Sequence, residues 1–372
     1  MLRQYDLKNY NIKLLLNVWL LSGLGILFIN SANPSYTSKQ LLGIVLCSGI
    51  MLLLSVVDYN FISNNIAIVY IGNIILLILV LLVGKTVGGA QRWLAFGGLT
   101  FQPSETCKIA LILTAAAFIS KHEEHLNEVR TLAKMAVICL IPLLLVVKEP
   151  DLSTTIDIVL ILCAIIFVGG LSLKIVGRVI AIGIPAFVIF IWYIQTPGQI
   201  LLKEYQVTRI MSFINPQKYA ATTAYQTNNS IMAIGSGQLF GKGLNSNTIS
   251  DVSVTVRDTG LVSEQQTDFI FSVIGEEFGF VGSVFIIALL ALLMVQCILV
   301  AKKANDLNGK LIATGVAALI AFQSFINIGV TTGILPNTGL PLPLISYGLS
   351  SALSIMIGMG MVLNISLQSK KY

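Results

Sequence analysis

Charged side chains are scarce in this sequence. Asp, Glu, Lys and Arg make up 11% of it, against about 25% in ordinary soluble domains, which excludes a globular fold with a fully solvated surface. Histidine is almost missing: His122 and His125 are the only two. They lie in Lys121-His122-Glu123-Glu124-His125, where a solvated polar turn is the ordinary reading and a shared metal the alternative. The five cysteines, Cys47, Cys107, Cys139, Cys163 and Cys297, fall in or beside apolar segments without paired spacing. That excludes a disulfide framework or thiolate metal site and leaves them as small core hydrophobes. A cleavable leader pattern is also lacking. Arg3, Asp6, Lys8 and Lys13 lead into a full-length apolar run with no small-residue cleavage site.

Hydrophobic residues, at 55%, are what the chain has instead. Apolar runs long enough to cross a bilayer, about 20 residues, recur along its whole length. They predict an all-α polytopic integral membrane protein, one integrated domain over 1–372, with ten spans near 13–29, 38–56, 64–83, 104–120, 132–147, 153–170, 173–194, 269–300, 311–334 and 343–366. A large loop, about 195–267, separates the seventh and eighth spans. With the N-terminus inside, the inner segments carry Arg3, Lys8, Lys13, Lys121, Arg130, Lys134, Lys174, Arg178, Lys302, Lys303, Lys310, Lys370 and Lys371. The short outer loops carry only Lys39, Lys85, Arg92 and Lys148. This asymmetry places both termini in the cytoplasm and the large loop outside. The net charge of +6 is thereby explained as orientation signal and contact with anionic lipid, not as a nucleic-acid footprint.

The informative polar residues cluster on the outer side. Glu264 to Gly279 runs from a polar segment straight into an apolar helix, with Asp268 at the border. At helical spacing Ser272, Gly275, Gly279 and Gly282 share its face, a small-residue stripe suited to close packing. Asp268 reads equally as a helix cap or as a working carboxylate. In Gln102-Pro103-Ser104-Glu105-Thr106-Cys107-Lys108, proline suits a first helical turn. Glu105 and Lys108 have the spacing of an ion pair, either structural or lining a polar cavity. Asp151 lies in the turn before the sixth span, and Ser153, Thr154 and Asp157 put polar groups into the span's outer end, where Asp157 alone reads as a bonded core residue. Ile200 to Ile214 mixes apolar residues with Lys203, Glu204, Gln206 and Arg209, as an interfacial helix does, and Asn215-Pro216 ends it. Gly235-Ser236-Gly237 and Gly241-Lys242-Gly243 offer backbone amides and a lysine that can cradle phosphate. The proline- and glycine-rich corner from Gly333 to Gly348 is irregular backbone beside a span, which must line protein or a wet cavity.

These pieces converge on an outward-facing polar cavity, because the inner halves of the spans are almost entirely apolar apart from Glu276 and Glu277. Taken together, Arg92-Trp93, Gln102-Pro103-Ser104-Glu105 with Lys108, Glu149-Pro150-Asp151-Leu152-Ser153-Thr154, Arg209-Ile210, Tyr225-Gln226, Thr267-Asp268-Phe269-Ile270-Phe271 with Glu276-Glu277-Phe278-Gly279, and the Gly339 to Gly348 corner resemble the SEDS family of bacterial cell-wall polymerases over essentially the whole chain. The short termini and Ala233-Ile234-Gly235-Ser236-Gly237 are more similar to its elongation members than to those of division or sporulation. Leu349, where the family pattern has a second glycine, and Asn337, where valine is common, depart from it.

The resemblance implies a peptidoglycan glycosyltransferase in the bacterial plasma membrane, its active site facing outside, that joins units of lipid II, the undecaprenyl-pyrophosphate-linked disaccharide-pentapeptide. It implies Asp268 as the carboxylate that takes the proton of the attacking sugar hydroxyl. Lys108, Arg209 and Lys242 become the cations for the pyrophosphate leaving group, with a divalent cation (Mg or Mn) as a further means of stabilising it. Glu105 orients Lys108 or helps hold that metal, and Trp93 is an interfacial anchor or sugar platform. Arg92, Gln102, Asp151, Glu276 and Tyr347 complete the supporting set. The implied partners are a class B penicillin-binding protein, proteins of the elongation complex and membrane lipids. A lipid II transporter and a scaffold for other wall enzymes are the competing readings.

Overall fold

The computed structural model describes residues 10–87, 90–96, 99–196, 204–219, 223–244 and 264–368. Long apolar runs become helices because lipid offers the backbone no hydrogen-bond partners, so each span must satisfy its own. The chain runs through α1 (Ile12–Ala32), α2 (Thr37–Val56), the short α3 (Tyr59–Asn64), α4 (Ile66–Val83), α5 (Pro103–Lys121), α6 (Val129–Lys148), α7 (Leu152–Val168) and α8 (Leu173–Ile194). It continues with α9 (Glu204–Ile214), α10 (Thr223–Ser236), α11 (Ile270–Lys303), α12 (Leu307–Thr331) and α13 (Leu349–Leu367). Among the described residues nine helices are long and apolar enough to cross a membrane, and the 17-residue α7 is a shorter apolar helix beside them. Together they match the ten expected spans. The last begins at Leu349 and not near 343, because the proline- and glycine-rich stretch before it does not enter the helix.

The centre of the bundle is α5, α12 and α13, surrounded on most faces by other helices. α13 packs along α2, α12 along α11, α7 and α5. Leu111, Ile112, Leu311, Ile312, Met356 and Met359 are all buried there. At the other extreme stands α8, where Ile194 alone is buried among the described residues.

Three short strands, absent from the reading by apolar runs, cover one end of the bundle. β1 (Lys85–Val87), β2 (Ala90–Phe96) and β3 (Leu99–Phe101) form an antiparallel sheet in that order, pairing Lys85 with Trp93 and Leu94 with Phe101. β-Branched and aromatic residues favour strands, and the pairs Gly88-Gly89 and Gly97-Gly98 separate the three segments in sequence. The sheet rests on α4, α5 and α13 and carries Arg92 and Trp93 over the bundle.

α11 is not one straight helix. Gly279 adopts φ 65° and ψ −159°, which breaks the ladder and leaves backbone groups to be satisfied elsewhere. The segment after α10 satisfies them. Phe280 N–H donates to Gln238 O at 2.8 Å and Val281 N–H to Leu239 O at 3.1 Å, while Lys242 and Gly243 N–H donate to the carbonyls of Glu276 and Glu277. The predicted small-residue stripe is therefore interrupted. Gly275 packs against Ile234 of α10 and Gly279 against the Leu239 and Gly241 backbone, whereas Gly282 faces only the Phe278 side chain. The glycines at 237, 241 and 243 lie along this helix break, and the phosphate-cradle reading falls away because the Lys242 and Gly243 amides serve α11 while those of Gly237 and Gly241 donate to Ile234 O and Gly237 O.

Replacing Gly279 by alanine forces an L side chain into positive φ and drives its Cβ to 2.7 Å from the Leu239 carbonyl carbon. A cost of roughly 2 kcal/mol or more follows. Gly279→Ala should lower the thermal midpoint of detergent-solubilised protein. Gly49→Ala, where nothing lies within 4 Å, should leave it unchanged or raise it, as Ala outranks Gly in helices.

Candidate active site

Polar residues placed inside α12 organise one end of the bundle. Gln323, Asn327 and Thr331 recur every four residues, on one helical face. Asn327 Nδ2 donates to Asp268 O at 2.8 Å and Leu340 O at 2.7 Å. Gln323 Nε2 donates to Pro341 O at 2.8 Å and Ser351 Oγ at 3.2 Å. Two irregular segments, the entry to α11 and the corner before α13, are thus hung on one helix. The corner is fastened to the other segment as well, with Tyr347 N–H donating to Gln266 O at 2.7 Å and Ser346 Oγ to Thr267 O at 2.6 Å. Leu340, Leu342, Leu344 and Ile345 of the corner are buried. Its irregular backbone is tolerated because protein surrounds it.

Between the corner, the sheet and α5 lies a cavity of about 280 Å³. Arg92, Trp93, Gln102, Glu105, Arg209, Asp268 and Tyr347, all expected from the sequence, line it. Glu264, Thr267, Thr338, Gly339, Ser350 and Ser351 line it too. Gly339, at φ 78°, strains any L side chain, and a Cβ there would crowd the site, 3.2 Å from Asp268 Oδ2 and 4.0 Å from Arg209 Nη1. Arg209 Nη1 also donates to Thr338 O at 3.5 Å. The Tyr347 ring sits 4.6 Å from that of Tyr36. Leu349, the departure from the family pattern, lies over Gly43 of α2, where a Cβ would strike its side chain.

Asp268 does not cap α11. Phe269 occupies the cap position and makes no side-chain capping bond. Burial pushes the Asp268 carboxyl from its ordinary 3.8 up to about 6, against the pull of the Arg209 guanidinium and the weaker pull of Arg92.

Lys108 stands behind the cavity and not in it. Its ammonium is wholly buried, 2.8 Å from Glu105 Oε1 and 3.6 Å from Asp157 Oδ2, and it donates to Gln323 Oε1 at 2.9 Å. One cation thus joins α5, α7 and α12 and orients Glu105. A direct contact between Lys108 and a pyrophosphate is corrected by this placement, and Asp157 is a charge partner, not only a bonded core residue. Asp151 is a hub of a second kind. It accepts from Thr154 N–H at 3.2 Å as the cap of α7 and from Gln102 Nε2 at 2.9 Å, and it pairs with Arg92 at 3.7 Å. Arg92 is further held by Pro150 O at 2.6 Å. Lys242 and Glu276 lie elsewhere, ion-paired at 2.7 Å beside the break in α11, so neither belongs to this cavity, and Glu276 and Glu277 stand in the first quarter of α11, not in the inner half of a span. Glu277 accepts from Ser31 Oγ across to α1.

Glu149, of the Glu149-Pro150-Asp151 turn, is fully buried and neither of its carboxyl oxygens has a hydrogen-bond partner. Burial, reinforced by Asp151, raises it from 4.5 to about 8, so it is largely protonated at neutral pH. The donor set does not fit a resident divalent cation. Among the described residues no three His, Cys, Asp or Glu side chains group as a metal site, and Glu105 is already engaged by Lys108.

Fold and site together define a many-spanning helical membrane protein with a carboxylate- and guanidinium-lined cavity at one end of its bundle. The family model for the cell cycle proteins FtsW, RodA and SpoVE matches residues 13–371, and the chain belongs to this family, the SEDS proteins. It is 32% identical over 379 residues to the probable peptidoglycan glycosyltransferase FtsW of Bacillus subtilis, covering 97% of this chain and 91% of that one. It is 36% identical over 301 residues to the peptidoglycan glycosyltransferase MrdB of Escherichia coli K12, covering 81% and 77%. The crystal structure of the rod shape determining protein RodA of Thermus thermophilus matches with a TM-score of 0.70 at 27% identity, covering 98% of both chains. A chain from a peptidoglycan synthase complex, described as coordinating polymerization and crosslinking, matches with a TM-score of 0.77 at 27% identity, covering 96% of this chain and 97% of that one.

Lys108→Met should cost about 3–5 kcal/mol by leaving buried carboxylates unpaired, and adding Asp157→Asn should recover part of it; thermal unfolding of the single and double variants reads both. For Glu149 the raised value means that the folded state binds the extra proton. Its stabilising contribution is full below about 4.5 and is lost as pH rises through about 8. Glu149→Gln should therefore fold normally and flatten the fall of the unfolding midpoint across that range.

Proposed function

We propose that this chain is a peptidoglycan glycosyltransferase that polymerises lipid II, with Asp268 as its general base. The observation that carries the reading is the placement of Asp268 in a protein-walled cavity beside Arg209, Arg92 and Glu105. In the reaction the acceptor sugar hydroxyl attacks the donor anomeric carbon. The new glycosidic C–O bond forms as the bond to the lipid pyrophosphate breaks, and the hydroxyl proton passes to the Asp268 carboxylate. A carboxyl raised to about 6 is a stronger base than an ordinary aspartate and is still ionised near neutral pH. Arg209 and Arg92, which face the cavity, are the cations placed to balance charge on the departing pyrophosphate. Glu105, steadied by Lys108, offers a fixed acceptor on the opposite wall, and Trp93 and Tyr347 offer ring faces to a sugar.

The cavity end of the bundle faces outward in this reading, because Lys121, Arg130, Lys134, Lys302, Lys303 and Lys310 mark the other end. Within the family we read the chain as an elongation-type polymerase working beside a class B penicillin-binding protein. The likeness to a rod shape determining protein and to a chain of a polymerising and crosslinking complex supports this.

Purified protein with its transpeptidase partner and lipid II should make glycan strands, and Asp268→Asn should lower the rate by roughly 10²–10⁴. The wild-type kcat/KM should rise with pH through about 6, following ionisation of Asp268. Equal polymer from Asp268→Asn would refute the assignment, and lipid II flipping without polymer from the wild type would favour transport.

A further inference from the structure

The turn after α10 presents bare apolar side chains at a definable depth. Leu239 is 52% exposed, Phe240 77% and Leu244 47%. Its height follows from α11, to which it is bonded through Phe280 and Val281. From Phe280 to Lys303 the helix is unbroken and spans about 35 Å at 1.5 Å per residue. Lys302 and Lys303 reach the far interface by extending their stems, and the hydrocarbon between the two interfaces is about 30 Å thick. The break at Gly279 therefore falls at the near boundary between acyl chains and headgroups, and the turn falls there with it. Beside it on α11, Phe280 and Val281 are 63% and 50% exposed, so the turn continues the lipid-facing wall of that helix.

We propose that Leu239 and Phe240 form a wedge inserted into the adjacent leaflet, an anchor of the extramembrane segment to lipid itself. The ion pair of Lys242 with Glu276 and the backbone bonds to Glu276 and Glu277 hold the turn rigid against α11. α10 joins the wedge to the site. Ser230 Oγ donates to Thr331 O at 2.8 Å, and Ile234 packs on Gly275. The turn is thereby linked through α10 to α12, whose Asn327 holds the Asp268 backbone. This inference rests on the membrane fold and not on the reaction.

The test places a nitroxide through Phe240→Cys, and separately Leu239→Cys, in a Cys163→Ala background, with the chain alone in phospholipid nanodiscs. Collisions with oxygen should exceed those with a water-soluble nickel chelate at both sites, at a depth of about 5–10 Å below the headgroups. A label through the exposed Lys218→Cys should show the reverse. Nickel-dominated collisions at 239 and 240 would place the turn in water, and protection from both reagents would mean that protein covers it; either overturns the wedge.

Discussion

The buried ammonium of Lys108 is the constraint on which the site end of the molecule depends. Removing a charge from water is costly unless it is paired and hydrogen-bonded. Lys108 meets that demand with Glu105, Asp157 and Gln323, one partner from each of α5, α7 and α12. Gln323 in turn holds the corner and, with Asn327 one turn along, the backbone around Asp268. The position of the Asp268 carboxylate is thus linked to a charge that lies outside the cavity.

A second constraint is main-chain hydrogen bonding in a region where water is scarce. The break in α11 exposes donors and acceptors, and a bonded turn from the extramembrane segment takes them up. The break therefore couples two parts of the chain that the sequence places far apart. It also explains why Glu276, Glu277 and Lys242 cluster there, with the paired charges steadying an interrupted helix.

Much of this was legible in the sequence where the signal was local. Apolar runs located the spans, and the polar residues of α5, the corner and the entry to α11 pointed to one cavity that Arg92, Gln102, Glu105, Asp268 and Tyr347 indeed share. What was hidden depended on tertiary partners. Lys108 and Arg209 look alike as cations, and only packing separates the one sealed behind Glu105 from the one facing the cavity. Gly241-Lys242-Gly243 has the composition of an anion cradle, yet the Lys242 and Gly243 amides are spent on α11 and that of Gly241 on Gly237 O. Two readable signals were passed over: the Gly-Gly pairs bracketing β2, a hairpin signature, and the fourfold spacing of Gln323, Asn327 and Thr331 inside an apolar helix. The cap reading of Asp268, one of the two its position allowed, fails because the helix begins one residue later.

Part of the cavity wall is main chain. At Gly339 the backbone runs close to Asp268 and Arg209 with positive φ, so any side chain introduced there meets both strain and the carboxylate. An inhibitor that drew its affinity from this stretch would contact atoms present in every amino acid. Resistance by substitution would then have to arise at a distance or damage the enzyme, which makes this wall a durable target surface compared with the exchangeable side chains opposite it.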